Sequence, residues 1–586
     1  MPINITHDLP PRPVRIGGFS GAVSDRREAA AGFVNGTEQI DAIVGDFMSE
    51  YNHHPSASTA GRKEDQGRSR CLYCLTRQVV VNAGACDTEG LYHATEAAIA
   101  GQGLSGQLTV AWIGGDEVFN QVKAGLSNPS KPNPFTNIYN PEETLESWPH
   151  TPIFAQAVAG ADIILCGRVA DAAPAMGVAA WWHGWYEQPC HHFQNLANAL
   201  IAGHLIECST YVTGGDFTGF RGMDWTKAGL LGFPIAEIGT DGEVVITKQE
   251  NTGGLGPLYY NSDVTADISN VHFTRLPGKD RVLLSGVKGL PPPPTTKIGL
   301  TAYGGYRAEF HYVIVGLDVE EKAKFMELQI RNSLGPERIS KFSLLTFTVY
   351  GNEVHGAKSL AAATADLRIF AQAKNREDLE PHNFLLPLAD TTMQGYAANT
   401  FHLDMRNAHP APYLEYFSTL LPLSEIEHVA YLPRQQLSIS IPPPIETRTY
   451  SRQQVDVPTS DVSVPQLDLG PTTHAPLGYV AHGRSGDKGP NCNMFYFVRN
   501  EDEYAWLKAI LTTEKLKELL GEEYVGGRID RFEFDGIWGV HFLLHNHLDR
   551  GVSANSTYDT LGKMPAEFIR SQLVDIPDQF LARGRI

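Results

Sequence analysis

No apolar run in this 586-residue chain reaches the roughly 20 residues that a membrane span requires. The opening Met1-Pro2-Ile3-Asn4-Ile5-Thr6-His7-Asp8 lacks the basic and apolar regions of a secretory signal and the Arg-rich pattern of an organelle address, so a cytoplasmic location is expected. Cysteine is scarce. Seven are spread thinly along the chain, an odd number that argues against a disulfide framework and for free thiols in a reducing compartment. Basic charge is also short: 47 Lys+Arg stand against 66 Asp+Glu, a net −19, the wrong sign for capturing nucleic acid or an anionic membrane. Neither is expected as a partner. A GxGxxG or P-loop signature is missing too, and no cofactor is assigned.

What is present suits a globular protein, with 42% hydrophobic and 19% charged residues in a chain too long for one core. No internal repeat is found. Over residues 13–270, short β-like runs (Val14–Gly17, Ile40–Val44, Val79–Asn82, Leu108–Trp112, Ile163–Cys166) alternate with helix candidates (Arg26–Phe33, Thr88–Ile99, Phe154–Ala159, Phe193–Leu205). This alternation predicts an α/β domain of βαβ units around a mainly parallel sheet. Residues 271–445 change character: long β-like runs at Lys297–Gly316 and Leu344–Val349 flank a helix candidate, Val319–Ser333, and predict an α+β second layer. Residues 446–474 are rich in Pro, Ser, Thr and Asp and read as a linker. Residues 475–586 suffice for a separate α+β domain.

Four stretches could carry chemistry. In the first, strand-like Val14-Arg15-Ile16 enters Gly17-Gly18-Phe19-Ser20-Gly21, with Ser24 or Asp25 as a helix cap; Gly18, Ser20 and Gly21 would then line an anion site, or simply make a tight turn. Asp46, after the next strand, is a ribose-binding acid on a nucleotide reading and otherwise a loop acid. In the second, Gly167-Arg168-Val169-Ala170-Asp171 follows a buried-strand pattern, so Arg168 could clamp a carboxylate and Asp171 orient it or act as base. A structural Arg–Asp pair is the bland alternative.

Third, His204 and Glu207 share a helix face as an acid–base pair, or with Cys208 as three metal ligands. Phe193, Ala197, Leu200, His204 and Cys208 also form one apolar stripe, which fits a core histidine. Thr213, in Thr213-Gly214-Gly215-Asp216, adds a polar group but no fourth ligand, and no metal is assigned. Fourth, His541, His545 and His547 alternate along the strand-like Ile537–His547 and would face one side of a sheet. Cys71 and Cys74 form a lone CxxC, and Lys248 before Thr252-Gly253-Gly254 is a further anion-site candidate.

The densest stretch is Gly483-Arg484-Ser485-Gly486-Asp487-Lys488-Gly489-Pro490-Asn491-Cys492-Asn493, between apolar Leu477–Ala481 and strand-like Met494–Val498. It predicts strand, functional loop, strand, with glycines admitting backbone N–H groups to an anion and Arg484 and Lys488 supplying charge. Solvated charges around a plain turn are the alternative.

Here the chain resembles the acyclic terpene utilisation (AtuA-like) family, whose C-terminal ferredoxin-fold-like domain opens with Arg-Ser-Gly-Asp-Lys-Gly-Asp-Asn-x-Asn. The match runs through Arg484, Ser485, Gly486, Asp487, Lys488, Gly489, Asn491 and Asn493 and departs at Pro490, where the pattern has Asp. Arg15–Gly21, Asn82–Gly84, Gly167–Ala172, Ala202–Cys208, Val212–Gly215 and Gly232–Glu237 resemble it too. The resemblance favours function over structure at Arg168 and Asp171.

Together these positions suggest an enzyme of hydratase or lyase type acting on a small carboxylate or its acyl-CoA thioester, in branched or isoprenoid acid catabolism or a specialised pathway. His204, Glu207, Asp171 and Asp487 are its catalytic candidates. Arg484, Ser485, Lys488, Asn491, Asn493, Arg168, Gly18, Ser20, Gly21 and Thr213 are its substrate-binding candidates. A homo-oligomer is expected; the rival is a non-catalytic acyl-ligand carrier for a carboxylase-type partner.

Overall fold

The computed structural model describes residues 12–21, 32–33, 39–47, 78–84, 87–127, 135–150, 152–157, 165–167, 169–187, 189–223, 226, 231–249, 265–268, 270–277, 280–450 and 469–586. Six strands come early in the chain: β1 (Val14–Ser20), β2 (Ala42–Gly45), β3 (Gln78–Val81), β4 (Trp112–Gly114), β5 (Pro152–Ala157) and β6 (Leu165–Cys166). Five of them lie side by side as β1, β2, β3, β6, β4, every neighbouring pair parallel, in the middle of an 11-stranded sheet. Helices Ala173–His183 and Phe193–Glu207 bury apolar side chains against it, with Val14, Ile16, Val44, Leu200 and Ile206 in one core. Strands covered in this way are apolar almost throughout, as Ala42-Ile43-Val44 is.

Both flanks of the sheet are antiparallel. Pro234–Ile238 pairs with β1 and is followed outward by Val244–Lys248, Val282–Ser285 and His272–Arg275; on the far side His428–Leu432 pairs with β4 and then with Leu437–Ile441. The parallel arrangement expected for the first block therefore holds at the centre of its sheet only. Strands between 272 and 285 and between 428 and 441, placed in the second layer by composition, hydrogen-bond into the first sheet. The segment expected as a helix at Phe154–Ala159 overlaps β5, which pairs with Thr295–Val315 from Ile298↔Ala157 to Thr301↔Phe154; residues 158–159 lie outside the described residues. A short apolar run has no periodicity that separates strand from helix, and the partner strand decides.

Thr295–Val315 is also the spine of the second layer, where Thr364–Ala373 and Ala411–Pro422 pair with it antiparallel and the helix Val319–Ile339 packs Met326 and Ile330 into the core. The C-terminal module is a four-stranded antiparallel sheet in the order His482–Lys488, Asn491–Phe497, Gly539–Leu544, Ile529–Phe534, with its own core of Leu477, Met494, Tyr496, Leu507, Phe542 and Ile569. Among the described residues, no helix is long and apolar enough to cross a membrane.

The module is docked on the body. Arg550 reaches Glu415 and Gln372, Gln372 Nε2 donates to the Ala554 carbonyl at 3.2 Å, and Arg368 donates to that of Ser556. Of the proposed linker, the Arg448 N–H donates to the Pro292 carbonyl at 2.9 Å and Thr472–Pro476 pairs with Leu573–Pro577; residues 451–468 lie outside the described residues. Brief proteolysis is expected to cut within 451–468, whose Pro and Ser/Thr content cannot supply a packed core. Because of these docking contacts, the two fragments should still co-elute in size-exclusion chromatography under native conditions. Resistance of this stretch, with cleavage elsewhere, would refute the linker.

Candidate active site where the module meets the body

Each parallel strand is followed by a polar residue at its carboxyl end: Ser20 in β1, Asp46 after β2, Asn82 after β3, Asp116 after β4 and Asp171 beyond β6. In an open α/β sheet this edge is where ligands bind. Asp46 is buried and accepts a hydrogen bond from the Asn82 amide, while the Ser20 hydroxyl donates to the Asp46 carbonyl at 3.3 Å.

The end of the helix Phe193–Glu207 presses into this edge because glycines remove the side chains that would hold it off. A Cβ on Gly18 would stand 2.1 Å from the Ile206 carbonyl oxygen, one on Gly21 2.6 Å from Cys208 Cα, and one on Gly203 2.7 Å from the Ala172 carbonyl oxygen. Gly18 and Gly21 thus serve close packing. Helical residues three apart share a face, so His204 and Glu207 arrive together, and Gly203 admits the Asp171-Ala172 segment beside them. One ligand atom from each of Asp171, His204 and Glu207 lies within 4.8 Å of the others.

Burial sets the chemistry of this group. The His204 imidazole falls to about 3, chiefly by burial and further by the Lys488 ammonium, against the opposing pull of Asp171. Neutral imidazole therefore dominates at ordinary pH. Glu207 moves well above the usual carboxylate range, first by burial and then by the carboxylates of Asp171 and Asp46. The Cys208 thiol donates to Glu207 Oε1 at 3.2 Å and is pushed up by burial and by Glu207, so it is no ready nucleophile.

The densest motif of the chain is a β-hairpin, not a glycine loop. Arg484 to Lys488 belong to the strand His482–Lys488, paired in register with Asn491–Phe497, and the turn is confined to Gly489-Pro490. Gly489 has φ +60°, and a Cβ there would meet the Tyr139 ring at 2.5 Å. Both conditions call for glycine, and the contact pins the hairpin tip to the body. Lys488, at the end of the strand His482–Lys488, is exposed and within electrostatic reach of His204 and Glu207.

Arg484 lies alongside, its guanidinium carbon 4.2 Å over the Tyr211 ring and its Nε 3.4 Å from Asp216. Lys563 Nζ stands 3.8 Å from the same carboxylate and 5.2 Å from the same ring. These cations edge a cavity of about 450 Å³ with an apolar wall of Phe217, Phe220, Met223 and Leu231.

The structure thus brings Asp171, His204 and Glu207 together with Lys488 in electrostatic reach, while Arg484 lines the neighbouring cavity, whose walls do not include those four residues. Of the other candidates, Ser485 lines the same cavity and its Oγ accepts from the Ala566 N–H, Asn491 Oδ1 accepts from Asn546, Asn493 Nδ2 donates to Gly486, and Thr213 Oγ1 donates to Gly232 at 2.6 Å. Asp487 stands opposite Cys492 in the hairpin. Lys248 pairs with Asp280. The strand carrying His541 ends at Leu544, so the three histidines do not share a face: His541 packs against Phe495, Phe532 and Phe534, and His545 bonds Asp530 at 2.8 Å. Arg168, Ser24, Asp25, Cys71, Cys74 and residues 252–254 lie outside the described residues. Sequence reasoning misses Tyr211 and Lys563; Tyr211 falls three residues past Cys208, a spacing that could draw notice, and nothing local marks Lys563.

The family model for acyclic terpene utilisation family protein AtuA matches residues 14–432, and that for the AtuA ferredoxin-like domain matches 475–575. No curated protein and no solved structure matches the chain.

Proposed function

The chain belongs to the AtuA family of acyclic terpene utilisation proteins, and from that premise we propose that it is an enzyme moving protons on a small organic acid or its acyl thioester, as in hydration or elimination. The observation that carries this reading is the convergence of Asp171, His204 and Glu207 at one buried point, where burial favours the neutral form of both the imidazole and the Glu207 carboxyl, within electrostatic reach of Lys488 from a separate module. Arg484 and Lys488, with Lys563, hold the carboxylate or thioester-linked phosphate through charge-assisted hydrogen bonds. An anion on Lys488 offsets the charge that depresses His204, so substrate binding raises the basicity of the imidazole. His204 then takes the proton next to the carbonyl, Asp171 steadies the imidazolium, and Glu207 gives its proton to the departing oxygen, which leaves as water.

The test starts from a mass-spectrometric screen of the protein against free-acid and acyl-CoA pools, followed by calorimetry on the retained compound. Arg484→Gln with Lys488→Gln should weaken that binding about ten- to a hundredfold, the scale of lost charge-assisted hydrogen bonds. The melting temperature should barely move, since Arg484 and Asp216 are both partly exposed and such pairs contribute about 0–1 kcal/mol. The advantage of the parent should shrink with salt. Binding equal to the parent's, or early unfolding, would make the hairpin structural.

A further inference from the structure

Asp171, His204 and Glu207 have a second property that proton transfer does not use. Their ligand atoms converge within 4.8 Å from two elements, two on one helix face and one from the segment after β6. Donors sharing one ion stand up to about 4.2 Å apart, so small side-chain adjustments would close the three around a centre. The position is enclosed, with His204 1% and Glu207 4% exposed, and Asp46, 4% exposed, adds another carboxylate within electrostatic reach of Glu207. Grouping carboxylates away from water is costly unless protons or a cation neutralise them.

We infer that Asp171, His204 and Glu207 form a site for one divalent metal ion that takes mixed carboxylate and imidazole ligands, of the Mn²⁺ or Fe²⁺ kind. Two oxygens and one nitrogen suit such ions, and three protein donors leave coordination positions for water or a substrate oxygen. Cys208 is excluded from the set because its thiol is engaged with Glu207. The trio replaces His204, Glu207 and Cys208, the grouping that sequence spacing offers. Binding the ion takes the proton from Glu207 and a ring lone pair from His204, so the ion and the proton-transfer roles of these two groups are alternatives at one site, and the inference stands on the geometry and not on the proposed reaction.

The experiment uses the full-length chain, stripped with a chelator and titrated with Mn²⁺ alone, following loss of the free-ion electron paramagnetic resonance signal. One Mn²⁺ per chain is expected, with affinity at least about tenfold weaker in Asp171→Asn and in Glu207→Gln. Asp404→Asn, at an exposed carboxylate paired with Arg406, should bind like the parent. Circular dichroism establishes that each variant is folded, and Asp171→Asn, an isosteric change at a half-buried position, keeps the test open should Glu207→Gln not fold. Absence of binding at millimolar Mn²⁺, or equal binding by parent and variants, overturns the site. A stripped protein that still turns over the screened compound and binds no Mn²⁺ overturns the ion alone. Stoichiometric Mn²⁺ on a protein that retains no organic acid supports the ion and overturns the reaction.

Discussion

Glu207→Gln is expected to lower turnover by about 10²- to 10⁴-fold, the usual contribution of a positioned acid or base, while raising the melting temperature at neutral pH. The two effects share one cause. Folding places Glu207 where burial, Asp171 and Asp46 all disfavour its charge, so its folded pKa lies well above the unfolded value of 4.5. Below that value both states hold the proton and nothing is lost. As pH rises through 4.5 the unfolded chain ionises first, and stability drops until the folded carboxyl ionises too. At neutral pH the wild-type protein therefore bears a cost that the neutral amide does not, although Gln still fills the volume. Ligand affinity should stay within a few-fold because Arg484 and Lys488 are untouched. His204→Gln should likewise lose turnover and keep binding. A Glu207→Gln protein that turns over normally would remove Glu207 from the chemistry, and one that melts earlier would show that it is ionised in the fold. Activity gained at the expense of stability is common at functional sites.

Elements whose signal is local are legible in the sequence. β1, β2, β3 and β6 coincide with short apolar runs, and the pairing of His204 with Glu207 follows from helix geometry alone. The Pro-, Ser- and Thr-rich stretch 446–474 falls between the two family matches, 14–432 and 475–575. Contacts made at a distance are not legible. Asp171, His204 and Lys488 belong to three segments, and what unites them is the absence of side chains at Gly18 and Gly203 and the seating of Gly489 on Tyr139. Such glycines look like turn residues until the opposing backbone is seen. The hairpin reads as a loop for the same reason: Gly483 and Gly486 suggest one, yet both pair in register with Asn491–Phe497, a strand that local composition cannot enforce. Flanking strands such as His428–Leu432 are grouped by composition with their sequence neighbours, because strand propensity carries no information about which sheet receives the strand.

Between about pH 6.5 and pH 4 acidification should set a loss of stability at buried histidines against a gain at the raised carboxylates Glu207 and Glu415. His204 is lowered from 6.5 to about 3, and His482 and His541 to about 4, with burial the leading cause in each. For His482 the guanidinium groups of Arg570 and Arg499 add to it. Above 6.5 all three are neutral in both states and none of them lowers stability. As pH falls below 6.5 the unfolded chain takes protons that the fold refuses, at about 1.4 kcal/mol per pH unit for each histidine, until the folded pKa is reached. The raised carboxylates Glu207 and Glu415 offset part of this loss over the same range, so the net fall is smaller than the histidines alone would give. His482 is stacked between Phe217 of the body and Phe497 of the module, and its Nδ1 lies 3.0 Å from the Thr218 hydroxyl. Its protonation should therefore loosen the docking first. Denaturant unfolding across this range should show a smaller slope in His541→Phe, whose ring sits among Phe495, Phe532 and Phe534, and in His482→Gln, each by about 1.4 kcal/mol per pH unit. An unchanged slope in both variants would mean that these rings are already protonated in the fold, and that burial does not hold them neutral.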